Sequence, residues 1–154
     1  MTNTFFQFLD PGPLLDGNLE LKLVDQKPGD PSTGIVPAYV FEMRHRGHIQ
    51  GFGHIDLRVG HTPRLDLYGG QMGYDVDPTY RGQRYAARSV RMLLPLARRH
   101  GLQTVWLTCN PENIASRRTA ERAGGLFVDI VDLPMDHEMY QRGDRKKARY
   151  RIDL

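Results

Sequence analysis

The stretch Tyr74-Asp75-Val76-Asp77-Pro78-Thr79-Tyr80-Arg81-Gly82-Gln83-Arg84-Tyr85-Ala86-Ala87 concentrates the residue types most suited to chemistry. An extended run ends near Val76, a short turn follows, and an amphipathic helix begins near Gly82. A helix N-terminus offers unpaired N–H groups and a partial positive charge. Arg81 and Arg84 add two full charges beside it. Gly82, Ala86 and Ala87 are small enough to let a ligand reach the backbone. Together these make a cradle for a diphosphate. A plain strand-to-helix turn with solvated arginines has the same composition, so these features by themselves leave both readings open.

A second block narrows the choice. Thr108-Cys109-Asn110-Pro111-Glu112-Asn113-Ile114-Ala115-Ser116-Arg117-Arg118 is followed by Gly124-Gly125. The first segment resembles the acetyl-CoA signature of the GNAT superfamily of N-acetyltransferases. That signature is Arg/Gln-x-x-Gly-x-Gly/Ala preceded by Val-x-Pro, here Arg81-Gly82-Gln83-Arg84-Tyr85-Ala86 after Val76-Asp77-Pro78. Arg84 stands where the family usually has its central glycine. Its side chain must point away from the diphosphate or swing to pair with it. The second block is similar to the family's Asn-x-x-Ser-x-Arg … Gly-Gly. Gly73-Tyr74 and Arg149-Tyr150-Arg151-Ile152 match a bacterial subgroup of predicted acetyltransferases. The match runs over about residues 49–154 and is poor before them.

The resemblance implies a fold, a cosubstrate and a mechanism. The fold is a seven-stranded, mostly antiparallel sheet splayed between its fourth and fifth strands. Acetyl-CoA lies in the splay. Its binding residues are Val76, Arg81, Gly82, Gln83, Arg84, Tyr85, Ala86, Ala87, Asn113 and Ser116, with Asn113 on the pantetheine arm. Backbone groups near Tyr74 and Val76 pair with that arm, and an N–H of the fourth strand polarises the thioester carbonyl. A primary amine attacks directly, with no covalent enzyme intermediate, so positioning supplies much of the rate.

The amine must lose a proton and the thiolate must gain one. In the family, many relatives place a Glu or His on the fourth strand and a Tyr on the fourth helix. Here those positions are Gly70-Gln71-Met72-Gly73 and Ala120. The substitutes are Glu42 and Asp56 as bases, reaching the site directly or through water, and Tyr74 as acid. As solvated strand carboxylates and a packed ring, the same three residues do no chemistry. Tyr150 has a similar balance, and Cys109 reads as a small buried hydrophobe. His45, His48, His54 and His61 are close in sequence without a carboxylate at metal-ligand spacing, so no metal is expected.

The elements that must position these groups follow from periodicity. Strands are expected over residues 19–24, 38–44, 49–59, 65–76, 104–108, 126–131 and 145–152. Helices are expected over residues 82–100, kinked by Pro95, and 110–123, started by Asn110-Pro111. The first helix should bury Ala87, Val90, Leu94 and Ala97. Residues 1–18 read as an irregular lead-in, and 1–154 as one GNAT-like domain of mixed α/β class. Only residues 25–37 separate the first two strands, where the family has helices that wall the acceptor pocket. Residues 1–18, the 132–144 loop or a second subunit of a homodimer could close that side. An open groove suits a peptide or protein amine, and a subunit-closed pocket a small molecule.

Composition bounds the rest. The chain has 154 residues, 40% hydrophobic and 25% charged, with a formal charge of +3. Seventeen of its 21 basic residues are Arg, the side chain that forks onto phosphates. One cysteine excludes a disulfide framework and any cysteine-rich zinc site. The sequence starts without a signal-peptide pattern and has no membrane-length apolar run, so a cytoplasmic protein without a membrane partner is expected. The leading expectation is an acetyl-CoA-dependent N-acetyltransferase. The alternatives are an acyl-CoA-binding domain with little or no transfer, and a nucleic-acid-binding module using Arg84, Arg88, Arg91 and Arg98. The modest charge argues against the last.

Overall fold

Alternation of apolar and polar residues builds the first sheet. In the computed structural model, which describes residues 6–154, β1 (Leu15–Asp16), β2 (Leu19–Lys27), β3 (Ala38–His45), β4 (Gly51–Arg58) and β5 (Met72–Val76) pair antiparallel in that order. Phe41, Met43, Ile55, Leu57 and Met72 are buried on one face. Lys22, His54 and Asp75 are exposed on the other. A second antiparallel sheet has the order β6 (Thr104–Cys109), β8 (Lys146–Asp153), β7 (Leu126–Asp132). One core joins both sheets to α1 (Tyr85–Arg99) and α2 (Ile114–Arg122). A single turn, α3 (Glu138–Gln141), interrupts the loop before β8. The mixed α/β class is as expected. Among the described residues the strands number eight in two sheets, because the lead-in contributes the two-residue β1.

The sheets touch at one hinge-like point. The Gln71 N–H donates to the Trp106 carbonyl at 2.9 Å, and the Gln71 Oε1 accepts from the Trp106 N–H at 2.6 Å. A side-chain amide thus takes the place of a ladder bond, and burial of Gln71 (0% exposed) protects it. Its Nε2 is satisfied by Asp66 Oδ1 at 2.8 Å and the Gly60 carbonyl. Gly70 makes this approach possible: its φ is 73°, and a Cβ there would sit 2.6 Å from the Trp106 oxygen. Beyond this contact β5 and β6 share no ladder.

Three local expectations are corrected. The strand over residues 65–76 is only β5, because Leu65–Gly69 forms a π-helical turn closed by Gly70 N–H to Leu65 O. The second helix starts at Ile114, not at Asn110-Pro111. Asn110 instead bonds Asp144 and Lys147 at the start of β8, while Asn113 caps the helix. Leu93 and Leu96 are the buried leucines of α1, with Leu94 only partly buried. The helix runs on through Pro95, which lies on its exposed face.

Among the described residues of the lead-in, Phe6, Phe8, Leu9 and Leu14 pack against the core. Asp16 pairs with Arg88 at 2.7 Å, and the Asp10 carbonyl accepts from Arg99. This segment therefore straps α1. Residues 1–5 of the lead-in lie outside the described residues. Arg91 donates to the Arg122 carbonyl, so two arginines of the proposed nucleic-acid stripe, Arg88 and Arg91, have partners within the fold. No helix among the described residues is long and apolar enough to cross a membrane.

Candidate functional site

The register of β5 decides which of its backbone groups are free. Arg58 N–H bonds Gln71 O, and Asp77 N–H bonds Phe52 O. Between these, Asp56 stands opposite Gly73 and His54 opposite Asp75 in the same register across β4 and β5, with the Gly73 N–H meeting Asp56 Oδ1. Alternation then turns the N–H and C=O of Met72, Tyr74 and Val76 away from β4, toward the gap before β6. A splayed sheet thus presents at its centre an edge with no ladder partner, on which the Val76 carbonyl is taken by Arg81 Nε.

That edge forms one wall of a cleft of about 580 Å³. The other walls are the N-terminal turn of α1 and the first turns of α2. Val76, Arg81, Gly82, Arg84, Tyr85, Ala86, Asn113 and Ser116 line it. Gln83 is exposed outside this lining, and the Ala87 side chain is buried in the core, so only its backbone N–H belongs to the helix start. The α1 N-terminus has no side-chain cap, and its first intrahelical bond is Arg88 N–H to Arg84 O. The N–H groups of Tyr85, Ala86 and Ala87 therefore have no intrahelical acceptor. Arg81, Arg84, Arg118 and Arg122 surround them, with Asp75 the one acid in the lining. Arg81 is oriented by an Nε bond of 2.9 Å to Val76 O.

Arg84 occupies a backbone conformation that favours glycine. It has φ 60° and ψ 26°, and no other non-glycine described residue has positive φ. The left-handed conformation costs an L-residue about 1–2 kcal/mol. The turn into α1 needs that conformation, and this chain meets the need with a guanidinium at the cleft rather than with a bare backbone.

Tyr74 sits between β5 and α2. Its hydroxyl lies 3.2 Å from Ser116 Oγ. Burial pushes its pKa up to about 12, so the phenol keeps its proton throughout the neutral range. Burial likewise raises the Cys109 thiol, which is held protonated and is no nucleophile in this state.

On the opposite, open face of the first sheet lies a hollow of about 280 Å³. Tyr74 and Asp75 contribute to both spaces. Asp56 lines the hollow, where its Oδ1 accepts the Gly73 N–H at 2.8 Å and its Oδ2 pairs with Arg58 at 3.1 Å. Glu42 lies outside the lining and pairs with Arg44 at 2.8 Å. The four histidines separate: His45 packs on Phe52 and Tyr85, His48 lies edge-on to His45, His54 faces Glu42, and His61 meets Asp66. No group of three metal-ligating side chains forms among the described residues.

Nothing described covers the hollow. The strap lies along α1. The 28–37 loop folds on itself through paired bonds between Asp30 and Ile35. The loop before β8 is held by Leu133 N–H to Arg145 O and by Asn110 to Asp144. Asp75, Arg118, Arg122 and His54 were not singled out for this role in the sequence. Arg118 was within reach, since it lies in the second block. The other three come to the site by register and helix packing.

The acetyltransferase (GNAT) domain family matches residues 22–125. No curated protein matches the sequence. Among solved structures, a GNAT-family protein from Chromobacterium violaceum superposes with a TM-score of 0.67 at 16% identity, covering 94% of this chain and 87% of that one. The ribosomal L7/L12 alpha-N-protein acetyltransferase RimL, in complex with coenzyme A, gives 0.66 at 15%, covering 92% and 98%. The microcin C7 self-immunity acetyltransferase MccE, in complex with acetyl-CoA and AMP, gives 0.60 at 14%, and this chain spans 61% of its length and is covered over 76% of its own.

Proposed function

The chain belongs to the GNAT acetyltransferase family, and on that premise we propose that it is an N-acetyltransferase. It moves the acetyl group of acetyl-CoA to a primary amine by direct attack on the thioester. The observation that carries this reading is the meeting of two spaces at Tyr74 and Asp75. One is a basic cleft at an uncapped helix start, suited to a diphosphate. The other is an open hollow on the far face of the same strand, suited to the amine.

Each residue then has a task. The N–H groups of Tyr85 and Ala86, with Arg81 and Arg84, hold the diphosphate. The edge of β5, through the Tyr74 backbone groups and the Val76 N–H, guides the pantetheine arm, with Asn113 and Ser116 opposite. The Tyr74 N–H faces the gap and polarises the thioester carbonyl as charge develops on its oxygen. The Tyr74 phenol, protonated at neutral pH, serves as the acid for the departing thiolate. The open hollow favours an amine carried on a peptide or protein.

Calorimetry with acetyl-CoA tests the cleft, and thiol release with amines tests the transfer. Arg81→Ala should weaken acetyl-CoA binding by about 1–3 kcal/mol through loss of a charge-assisted bond. Absence of acetyl-CoA binding to the wild type at high micromolar concentration would overturn the reading. Binding without thiol release for any amine would leave an acyl-CoA-binding domain, a reading that the ion-paired state of Glu42 and Asp56 favours.

A further inference from the structure

Transfer needs a base, and neither carboxylate expected for that role is available. Asp56 is committed to the Gly73 N–H and to Arg58. Glu42 is committed to Arg44 through Oε1 and lies outside the hollow. The strand register places a different group there. Lys22, Glu42, His54 and Asp75 stand directly opposite one another on β2, β3, β4 and β5, forming one row across the open face. Facing side chains in such a row have Cβ atoms about 5 Å apart.

His54 lines the hollow and is 54% exposed. Its Nε2 lies 3.7 Å from Glu42 Oε2. That is beyond hydrogen-bond length, so Glu42 is a charged neighbour of the ring and not its hydrogen-bond partner. Across β4 and β5, Asp75 is exposed and forms no ion pair among the described residues. It also belongs to the cleft lining, so it stands where the two spaces meet. The charged groups around His54 are therefore Glu42 and its partner Arg44 on β3, Asp75 on β5, Asp56 and Arg58 on its own strand, and Lys22 and Lys27 on β2.

Resting on the transferase reading, we propose that His54 is the general base and that Asp75 anchors the acceptor as an ammonium. The ammonium gives one proton to His54, which passes it to solvent. The neutral nitrogen attacks the thioester carbon, a C–N bond forms, and the C–S bond breaks. The second proton of the nitrogen replaces the one that the thiolate takes up. One proton is released per amide formed.

The test uses the intact chain, acetyl-CoA and three amine probes: a short peptide with a free α-amine, an N-blocked lysine peptide and spermidine. Thiol release is followed between about pH 6 and 9, the range that spans imidazole titration. With the wild type, kcat should rise with pH as the imidazole loses its proton. His54→Gln should lower kcat by about 10²–10⁴-fold and flatten that rise, with acetyl-CoA affinity by calorimetry unchanged. Added imidazole should restore part of the rate in His54→Gly. Asp75→Asn should raise KM for the amine more than it lowers kcat. A His54→Gln enzyme with wild-type rate and pH profile overturns the proposal alone. Loss of acetyl-CoA affinity in His54→Gln also overturns it, giving His54 a structural role. A wild type that binds acetyl-CoA but acetylates no probe overturns the transferase reading and this proposal with it.

Discussion

The two helices that face the cleft begin in opposite ways. α2 is closed by its own sequence: Asn113 Oδ1 accepts the Ser116 N–H at 3.1 Å. α1 has no cap, and its N-cap position is an arginine in a left-handed conformation. A cap satisfies an orphan donor and stabilises a helix by about 1 kcal/mol. α1 forgoes that gain, and Arg84 adds a conformational cost. The ends differ because they serve different purposes. The α2 start positions Ser116 beneath Tyr74 and is complete within the fold. The α1 start leaves donors and the Arg81 and Arg84 guanidinium groups at the cleft, and on the proposed reading an anionic ligand completes it.

The contrast is open to direct attack. The largest effect is expected from Ala86→Asp, which places a carboxylate in the first turn of α1. A negative charge there favours the helix by about 0.3–1 kcal/mol, so the thermal midpoint should rise. The same charge would repel the diphosphate, and acetyl-CoA affinity by calorimetry should fall by about 100-fold or more. Opposite signs for folding and binding are the signature of a helix end reserved for a ligand. Asn113→Ala comes next. Loss of the α2 cap should cost about 1 kcal/mol of stability and lower the thermal midpoint by about 2–4 °C. Arg84→Gly should have the smallest effect on stability. Relief of the left-handed backbone, about 1–2 kcal/mol, is offset by the freedom that glycine adds to the unfolded chain, about 0.4–1 kcal/mol. Urea unfolding should show a gain of a few tenths to about 1 kcal/mol, with acetyl-CoA binding weakened by the lost charge.

How much of this was legible in the sequence depends on whether a feature is local. The cradle is local. A strand end, a turn and a helix start lie within residues 74–87, and most of the residues expected to hold acetyl-CoA line one cleft. Asn113 and Asn110 show where local reading fails. Both are good caps followed by helix formers, and Pro111 favours the earlier start. Tertiary contacts with Asp144 and Lys147 draw Asn110 away. The turn at Leu65–Gly69 was hidden for a related reason: an apolar run with glycines suits a strand, and the approach of Trp106 to Gly70 decided otherwise.

By itself the sequence determined the mixed α/β class, the basic helix start and the short, helix-free link between β2 and β3, because each is written in neighbouring residues. Only the tertiary structure decided the base candidate and the openness of the acceptor side. His54, Glu42 and Asp75 lie far apart in the chain and meet through strand register, where a shift of one residue would send each to the opposite face. The lead-in could have covered the hollow or strapped α1, and its pairing with Arg88 and Arg99 settled which. Arg84 belongs to both levels. Its charge beside the helix start is plain in the sequence, and its left-handed backbone, a conformation that favours glycine, is visible only in the fold.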